Sequence, residues 1–453
     1  MNTSKMILGM ALLLGPSAGA AQAQQPVPQS GSAAAPVEWW AAVGDTTLVR
    51  LVRQALATNG DVRASEARVD QVRAVRAGAA LDLVPSVTAS AAYSRQRLPL
   101  ASLPGVIERP PAYDYWDAGI EASWELDLFG RLRSNLRGRG ELIGASEADQ
   151  EEMELLVTAE LAGTYVSLRG LQEQLAVARE NAANQERTLE LTRQRLEAGR
   201  GNELDTERAQ AQLSSTLAAM VDLESRVMAE QYKVAVLTGG DPEVVAAELA
   251  AGGTFPSLPE LGTPGNVEAL ARRRPDVVSA ERQAAAAAAF QGAARADYLP
   301  RISLVGGIGA AANDFDRLGG TGTSRYAIGP VITWPLLNLG RVKASADAAS
   351  AEREAAEGRY EQVVRRASEE IRTATVRYGA ARARLVHLER AAQASRRAAE
   401  LARLRFESGA ADFLQVLDAD RTRLAAEADL ARGRAEAGGL LVEAYRAFAG
   451  VLP

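Results

Sequence analysis

The sequence predicts a mainly α-helical protein that also carries a few β-strands suited to the wall of a membrane barrel, built from two copies of one unit. Three observations carry this expectation. Most of the chain is written twice. Two long stretches, between Pro111 and Pro242 and between Pro335 and Pro453, contain no proline. Before each long helical stretch, the apolar spacing changes to a period of two.

The repeat is explicit. Asp61-Val62, Glu66, Asp82, Pro85 and Val87 return as Asp276-Val277, Glu281, Asp297, Pro300 and Ile302, at an offset of 215. Gly119, Trp124, Leu126, Gly130 and Arg131 return as Gly329, Trp334, Leu336, Gly340 and Arg341, now at an offset of 210. That second offset persists: Arg195-x-Glu197-x-Gly199 with Leu204 returns as Arg405-x-Glu407-x-Gly409 with Leu414. Repetition on this scale means two copies of one structural unit.

The elements follow in order. Lys5, apolar Met6 to Leu14 and Ala21-Gln22-Ala23 form a secretory signal over 1–23, which places the start of the mature chain at Gln24. Residues 24–36, rich in Gln, Pro, Ser and Ala, form a flexible lead-in. The first repeat spans 37–240, a linker 241–266 and the second repeat 267–453. Thr46 to Thr58 reads as a short helix that breaks at Asn59-Gly60. The next helix, Asp61 to Leu83, begins with an aspartate at its positive dipole end, and Pro275-Asp276 opens its counterpart.

Pro85 stops that helix. Val87, Ala89, Ala91 and Tyr93 then alternate with polar residues, as do Ile120, Ala122, Trp124, Leu126 and Leu128. Strands are expected at about 85–95 and 117–129, and again at about 300–310 and 326–337, although Pro330 and Pro335 suit a central strand poorly. Trp124 and Trp334 mark the barrel strands. One face of each strand is apolar, as in a membrane barrel wall. Four strands cannot close a barrel, and open sheet edges are not tolerated in lipid, so several chains must share one wall.

Long helices follow at about 131–198 and 341–408, each about 100 Å at 1.5 Å per residue. Gly138, Gly140, Gly144, Gly163 and Gly170 should weaken the first one locally. Leu161, Leu168 and Leu175 recur in heptads, as do Ile371, Tyr378 and Leu385, the mark of coiled-coil packing. The helices turn at Gly199 and Gly409 and return over about 203–237 and 413–448.

Composition narrows the function. There is no cysteine, so disulfides, thiol catalysis and an N-terminal lipidated cysteine are excluded. The lone histidine, His387, cannot make a multi-histidine metal site. A net charge of −6, with arginines interspersed among glutamates, does not suggest a nucleic-acid binder. No nucleophile–base pair, phosphate loop or metal-ligand cluster points to an enzyme or a cofactor.

Together, Ser123-Trp-Glu-Leu-Asp-Leu-Phe-Gly-Arg131, Arg273-Arg-Pro-Asp-Val277 with Glu281, and Arg405-Phe-Glu-Ser-Gly409 through Val416-Leu-Asp-Ala-Asp-Arg421 resemble the TolC-like outer membrane factor family. The likeness is greatest to the NodT/OprM-type channels that serve resistance-nodulation-division pumps, and it covers nearly all of the mature chain. It implies a homotrimer with a twelve-stranded barrel in the outer membrane and a long α-helical barrel in the periplasm. Residues 37–58, 240–266 and the middle of the long helices would form a belt. The partners it implies are outer-membrane lipid, a periplasmic adaptor (membrane fusion protein) and the inner-membrane pump, which supplies the energy for a passive export duct. Other roles for this architecture are the outer-membrane component of a type I secretion system and a structural periplasmic coiled-coil protein.

The resemblance also implies site residues. Asp418 and Arg421 would form an acidic ring and its basic partner at the periplasmic constriction. Asp205 stands where a relative links inner and outer helices. Phe406 replaces a tyrosine, so that hydrogen bond cannot form, and Gln415 replaces a second acidic ring. Gly199 and Gly409 would form the tips where the adaptor docks. Many members of the subgroup carry an acylated N-terminal cysteine, and here barrel insertion alone would hold the chain.

Overall fold

The computed structural model describes residues 44–450 apart from 98, 100–110, 251–252, 254 and 263. The signal segment and lead-in expected over 1–36 lie outside the described residues. Helices α1 (Thr46–Thr58) and α2 (Gly60–Leu81) precede strands β1 (Ser86–Gln96) and β2 (Tyr113–Glu125). Then come α3 (Arg131–Glu197), α4 (Glu203–Thr238) and the short α5 (Pro242–Ala250) and α6 (Val267–Ala271). The second copy runs through α7 (Pro275–Ala296), β3 (Arg301–Ala312), β4 (Ser324–Thr333), α8 (Leu339–Glu407) and α9 (Phe413–Ala447).

The two long helices organise everything else. Helix α3 packs against α2 and α7 near the sheet and against α4 and α9 toward its far end, while α8 packs against α7 and α9. Helices α2 and α4 meet end to end. Asn59, the N-cap of α2, donates from its side chain to the Leu237 carbonyl near the end of α4, at 3.1 Å. The second copy repeats this junction: Arg274 precedes α7 and donates to the Ala447 carbonyl at the end of α9, at 3.4 Å. Both donor and acceptor have moved by the repeat offsets.

Helix α3 runs unbroken through the glycines expected to weaken it. Two of these positions are where neighbouring helices approach most closely. A Cβ on Gly138 would lie 2.6 Å from the Phe290 ring, and one on Gly170 would lie 2.5 Å from the Ala435 Cβ. What these glycines give up in helix propensity is set against tighter packing of α7 and α9 on α3.

Midway along the helices, α1 and the segment after α4 wrap around the bundle. Leu48, Leu51 and Val52 of α1 are buried with Leu161, Tyr165, Leu168 and Val234, together with Val245 and Leu249 of α5. The Tyr165 hydroxyl donates to the Asp45 carboxylate at 2.7 Å and accepts from Arg169 at 2.9 Å. Burial is the main cause that pushes this phenol up to about 12. Tyr378 ties α8 to the linker by donating to the Pro259 carbonyl at 2.6 Å.

The four strands form one antiparallel sheet in the order β1-β2-β3-β4. Ser86 pairs with Ser123 in the first hairpin, and the same offsets turn this into Arg301 with Thr333, the register of the second hairpin. Val87, Ala89, Ala91 and Tyr93 share a face with Ile120, Trp124, Leu304, Ile308, Tyr326, Ile328 and Ile332. The other face carries Ser90, Ser94, Asp117, Glu121, Ser303 and Arg325. Within the chain, β1 and β4 are both edges. Among the described residues, no helix is long and apolar enough to cross a membrane.

Three strand expectations are corrected. Strand β2 lies earlier than 117–129, because Asp127 turns the chain with a φ of +45° and caps α3 through the Leu132 and Arg133 amides. Strand β4 ends at Thr333 rather than 337, so Trp334 falls just beyond it; Pro335 ends the ladder there and is followed by a single 3₁₀ turn. Pro330 is accommodated because β4 is an edge strand within the chain, not a central one. The change of offset is also located: residues 97–112 join β1 to β2, whereas 313–323 join β3 to β4, a connection five residues shorter.

Candidate functional site at the helical tips

Each long helix ends in the same way. Gly199 has a φ of +65° and Gly409 of +75°, a left-handed conformation that glycine adopts without a Cβ clash. The amides of Gly199 and Arg200 donate to the carbonyls of Leu196 and Arg195, at 3.0 and 2.8 Å. Those of Gly409 and Ala410 donate to Phe406 and Arg405 at the same two distances. This paired bonding is a Schellman cap, which satisfies carbonyls that the helix leaves open.

The returning helices start with side-chain caps. Asn202 accepts from the Asp205 amide at 2.9 Å, and its own side-chain amide donates to the Asp205 carboxylate at 3.0 Å. Asp412 accepts from the Gln415 amide at 3.0 Å. The sequence-expected residues Asp205 and Gln415 therefore both sit in the first turn of a return helix. Asp205 spends its carboxylate locally, on Asn202 and on Arg208 at 4.0 Å, both within the first hairpin.

Phe406 is buried with Phe413, Val416, Leu417, Leu189 and Leu213, an apolar plug that joins the two hairpins just above the tips. Its ring lies 5.7 Å from that of Phe413. The polar contact here comes from a residue not expected in the site. Arg195, in the last turn of α3, donates to the Phe406 carbonyl at 3.0 Å and holds its guanidinium carbon 4.0 Å from the Phe406 ring centroid. A cation on the carbonyl end of a helix and over an aromatic face is favourable on both counts.

Asp418 and Arg421 are exposed on α9, but the structure does not join them. Arg421 donates instead to the side-chain carbonyl of Gln212 on α4, at 3.0 Å. The buried acid of this motif is Asp420, 7% exposed, which faces Arg423 at 3.6 Å and Arg403 at 3.9 Å. Burial raises its carboxyl above the ordinary aspartate value, and the two guanidinium groups offset only part of that. Arg423 in turn donates to Asn181 on α3 at 2.7 Å. Beside this cluster Glu427, also buried, accepts from Arg396 at 2.9 Å. Buried charges of mixed sign thus lie beside the exposed Asp418 along α9.

The tip is held by weak contacts: single hydrogen bonds, one stacked arginine and a small apolar plug. Among the described residues no group of acidic and histidine side chains could hold a metal ion.

Comparison with known proteins gives consistent matches. The model of the outer membrane efflux protein family matches residues 51–240 and 266–438, one segment in each repeat. The chain is 30% identical to the outer membrane protein OprJ of Pseudomonas aeruginosa, over 93% of this chain and 88% of OprJ. It is 31% identical to the pyoverdine export outer membrane protein OpmQ of the same organism, over 86% of this chain and 82% of OpmQ. Among solved structures, the outer-membrane channel OprN superposes with a TM-score of 0.85 at 38% identity, covering 91% of this chain and 92% of OprN.

Proposed function

The chain belongs to the outer membrane efflux protein family, and from that premise we propose that three copies form a passive exit duct gated at the helical tips. The family's place is the outer membrane, where it serves efflux pumps. The observation that carries the proposal is the four-stranded sheet with an apolar face and two open edges. Such a sheet is stable in lipid only when both edges are paired, which requires neighbouring copies.

The strands then face lipid while the helices continue the wall into the periplasm. At the far end Gly199 and Gly409 present tight turns to an adaptor, and an inner-membrane pump of the resistance-nodulation-division class supplies the energy. Asp418 lines the constriction, where three symmetry-related carboxylates attract cations and repel one another. Arg195 on Phe406 and Arg421 on Gln212 hold neighbouring helices together around it. A small rotation of the helices would break both and widen the pore.

Detergent-solubilised protein should behave as a trimer by light scattering and conduct ions in planar bilayers. A stable monomer without conductance would overturn the reading.

A further inference from the structure

We infer that the cavity between the linker and the middle of the long helices is a binding site for a small organic carboxylate. Arg169 and Arg382 hold its acidic end, and its apolar body lies against the linker and α8. The site is separate from the tips and stands whether or not the gate works as proposed.

The cavity measures about 750 Å³, a volume that takes a drug-sized ligand. Its walls come from α3, α8, α9 and the linker that follows α5. Gln172 on the α3 wall lies about 40 Å from the turn at Gly199, at 1.5 Å per helical residue.

The charges in the wall are unequal. Arg169, Arg382 and Arg434 line it, against Glu173 and Glu389. Arg434 takes up both glutamates, at 2.6 and 3.4 Å. Arg382 has Glu260 at 3.5 Å, and that glutamate is 84% exposed. An ion pair in water is worth little, so Arg382 can turn from it to a ligand at small cost.

Arg169 carries the inference. It is 6% exposed. Its guanidinium donates to Gln172 at 2.8 Å and to the Tyr165 hydroxyl at 2.9 Å, both neutral groups. Asp45 is joined to it only through that hydroxyl. The group has five N–H donors, and its Nε is buried without a partner. The linker presses directly on it: a Cβ on Gly253 would lie 2.7 Å from its Cζ. A buried cation without a counter-ion is costly, and an anion in the cavity supplies what is missing. Three guanidiniums against two carboxylates call for one negative charge. A carboxylate meets that need and accepts paired bonds from a guanidinium.

The remaining wall selects the body of the ligand. Phe255 and Leu258 of the linker, with Leu385 and Val386 of α8, offer apolar surface to an aromatic or branched hydrocarbon. A ligand so placed ties α3, α8 and the linker together, and binding to the folded chain raises its stability.

The probe is 4-phenylbutanoate, with neutral 4-phenylbutanamide as control, titrated calorimetrically into the full-length protein in detergent. The acid should bind once per chain and raise the melting temperature. The amide should bind about tenfold more weakly, the worth of one charge-assisted hydrogen bond. Arg382→Gln, at a partly exposed position, should weaken the acid by about the same factor. Arg169→Gln should weaken it further, and Arg382→Gln keeps the test open should that variant fail to fold. Glu389→Gln removes a negative charge and should tighten binding. Equal binding of acid and amide, or an acid affinity unchanged by Arg382→Gln, would overturn the site. Folded wild-type protein that does not bind the acid would overturn it too.

Discussion

Arg195 binds Phe406 twice, through a hydrogen bond of 3.0 Å to its carbonyl and through a guanidinium 4.0 Å above its ring. The contact joins the ends of the two long helices, at the level where the duct is proposed to close. Each half of it is worth about 0.5–1 kcal/mol at a partly exposed site. Arg195→Ala should therefore shift the closed–open balance by roughly five- to thirtyfold toward open, seen as higher resting conductance in planar bilayers. Lysine keeps the charge but not the planar stack and should fall between the two. Wild-type conductance in the alanine variant would remove Arg195 from the gate.

Arg421 and Gln212 should act as a pair. Replacing either by alanine breaks the same 3.0 Å hydrogen bond, so their effects on conductance should be less than additive in a double-mutant cycle. Replacing Asp418 and Arg421 together by alanine should also raise conductance and reduce cation preference, measured as a reversal-potential shift in a salt gradient. Full additivity of Arg421→Ala and Gln212→Ala would show that the bond holds nothing shut.

The buried Asp420 predicts a pH dependence. Its carboxyl is raised by burial, so the folded protein binds this proton more tightly than the unfolded chain does. The stability linked to it is present in full below the unfolded value of about 3.9 and is lost as the pH rises through the raised folded value. Asp420→Asn should flatten that part of the profile of melting temperature against pH. It should also raise the melting temperature near neutrality, because the uncharged amide escapes the burial cost that the ionised carboxylate bears there. An unchanged slope above the ordinary aspartate value would contradict this assignment.

Gly199 and Gly409 predict a separation of assembly from function. A valine or glutamate at either position must adopt the left-handed conformation at about 1–2 kcal/mol, a small loss for an extended bundle. Trimers should survive while adaptor capture and drug resistance are lost. Normal efflux by such variants would move the docking site away from the tips.

Much of the architecture can be read from the residues. The repeat, the proline-free stretches and the paired motifs at Gly199 and Gly409 are local signals, and local physics reproduces them as helices and Schellman caps. What escaped reading depends on neighbours distant in sequence. Asp418, Asp420 and Arg421 sit within one helical turn, and only the packing of α9 against α3 decides that Asp420 is buried and that Arg421 turns to Gln212. Arg195 was visible as a repeated arginine before glycine, but its partner Phe406 lies 211 residues away. The ends of β2 and β4 are not visible in the sequence because apolar alternation runs on through Leu126, Leu128 and Leu336, after Asp127 and Pro335 have already turned the backbone.

The five-residue difference between the copies lies wholly in the connections between paired strands, at the opposite pole from the tips. The helices keep a common ruler, 67 residues in one copy and 69 in the other. Each added helical residue would advance one stave by about 1.5 Å and turn it by about 100°, throwing its tip out of plane with its neighbours. A loop absorbs such a change at no cost to the wall. The difference in length between the copies thus falls between the paired strands, at the end remote from the tips. Any lengthening of the body must enter both copies together, in steps of seven.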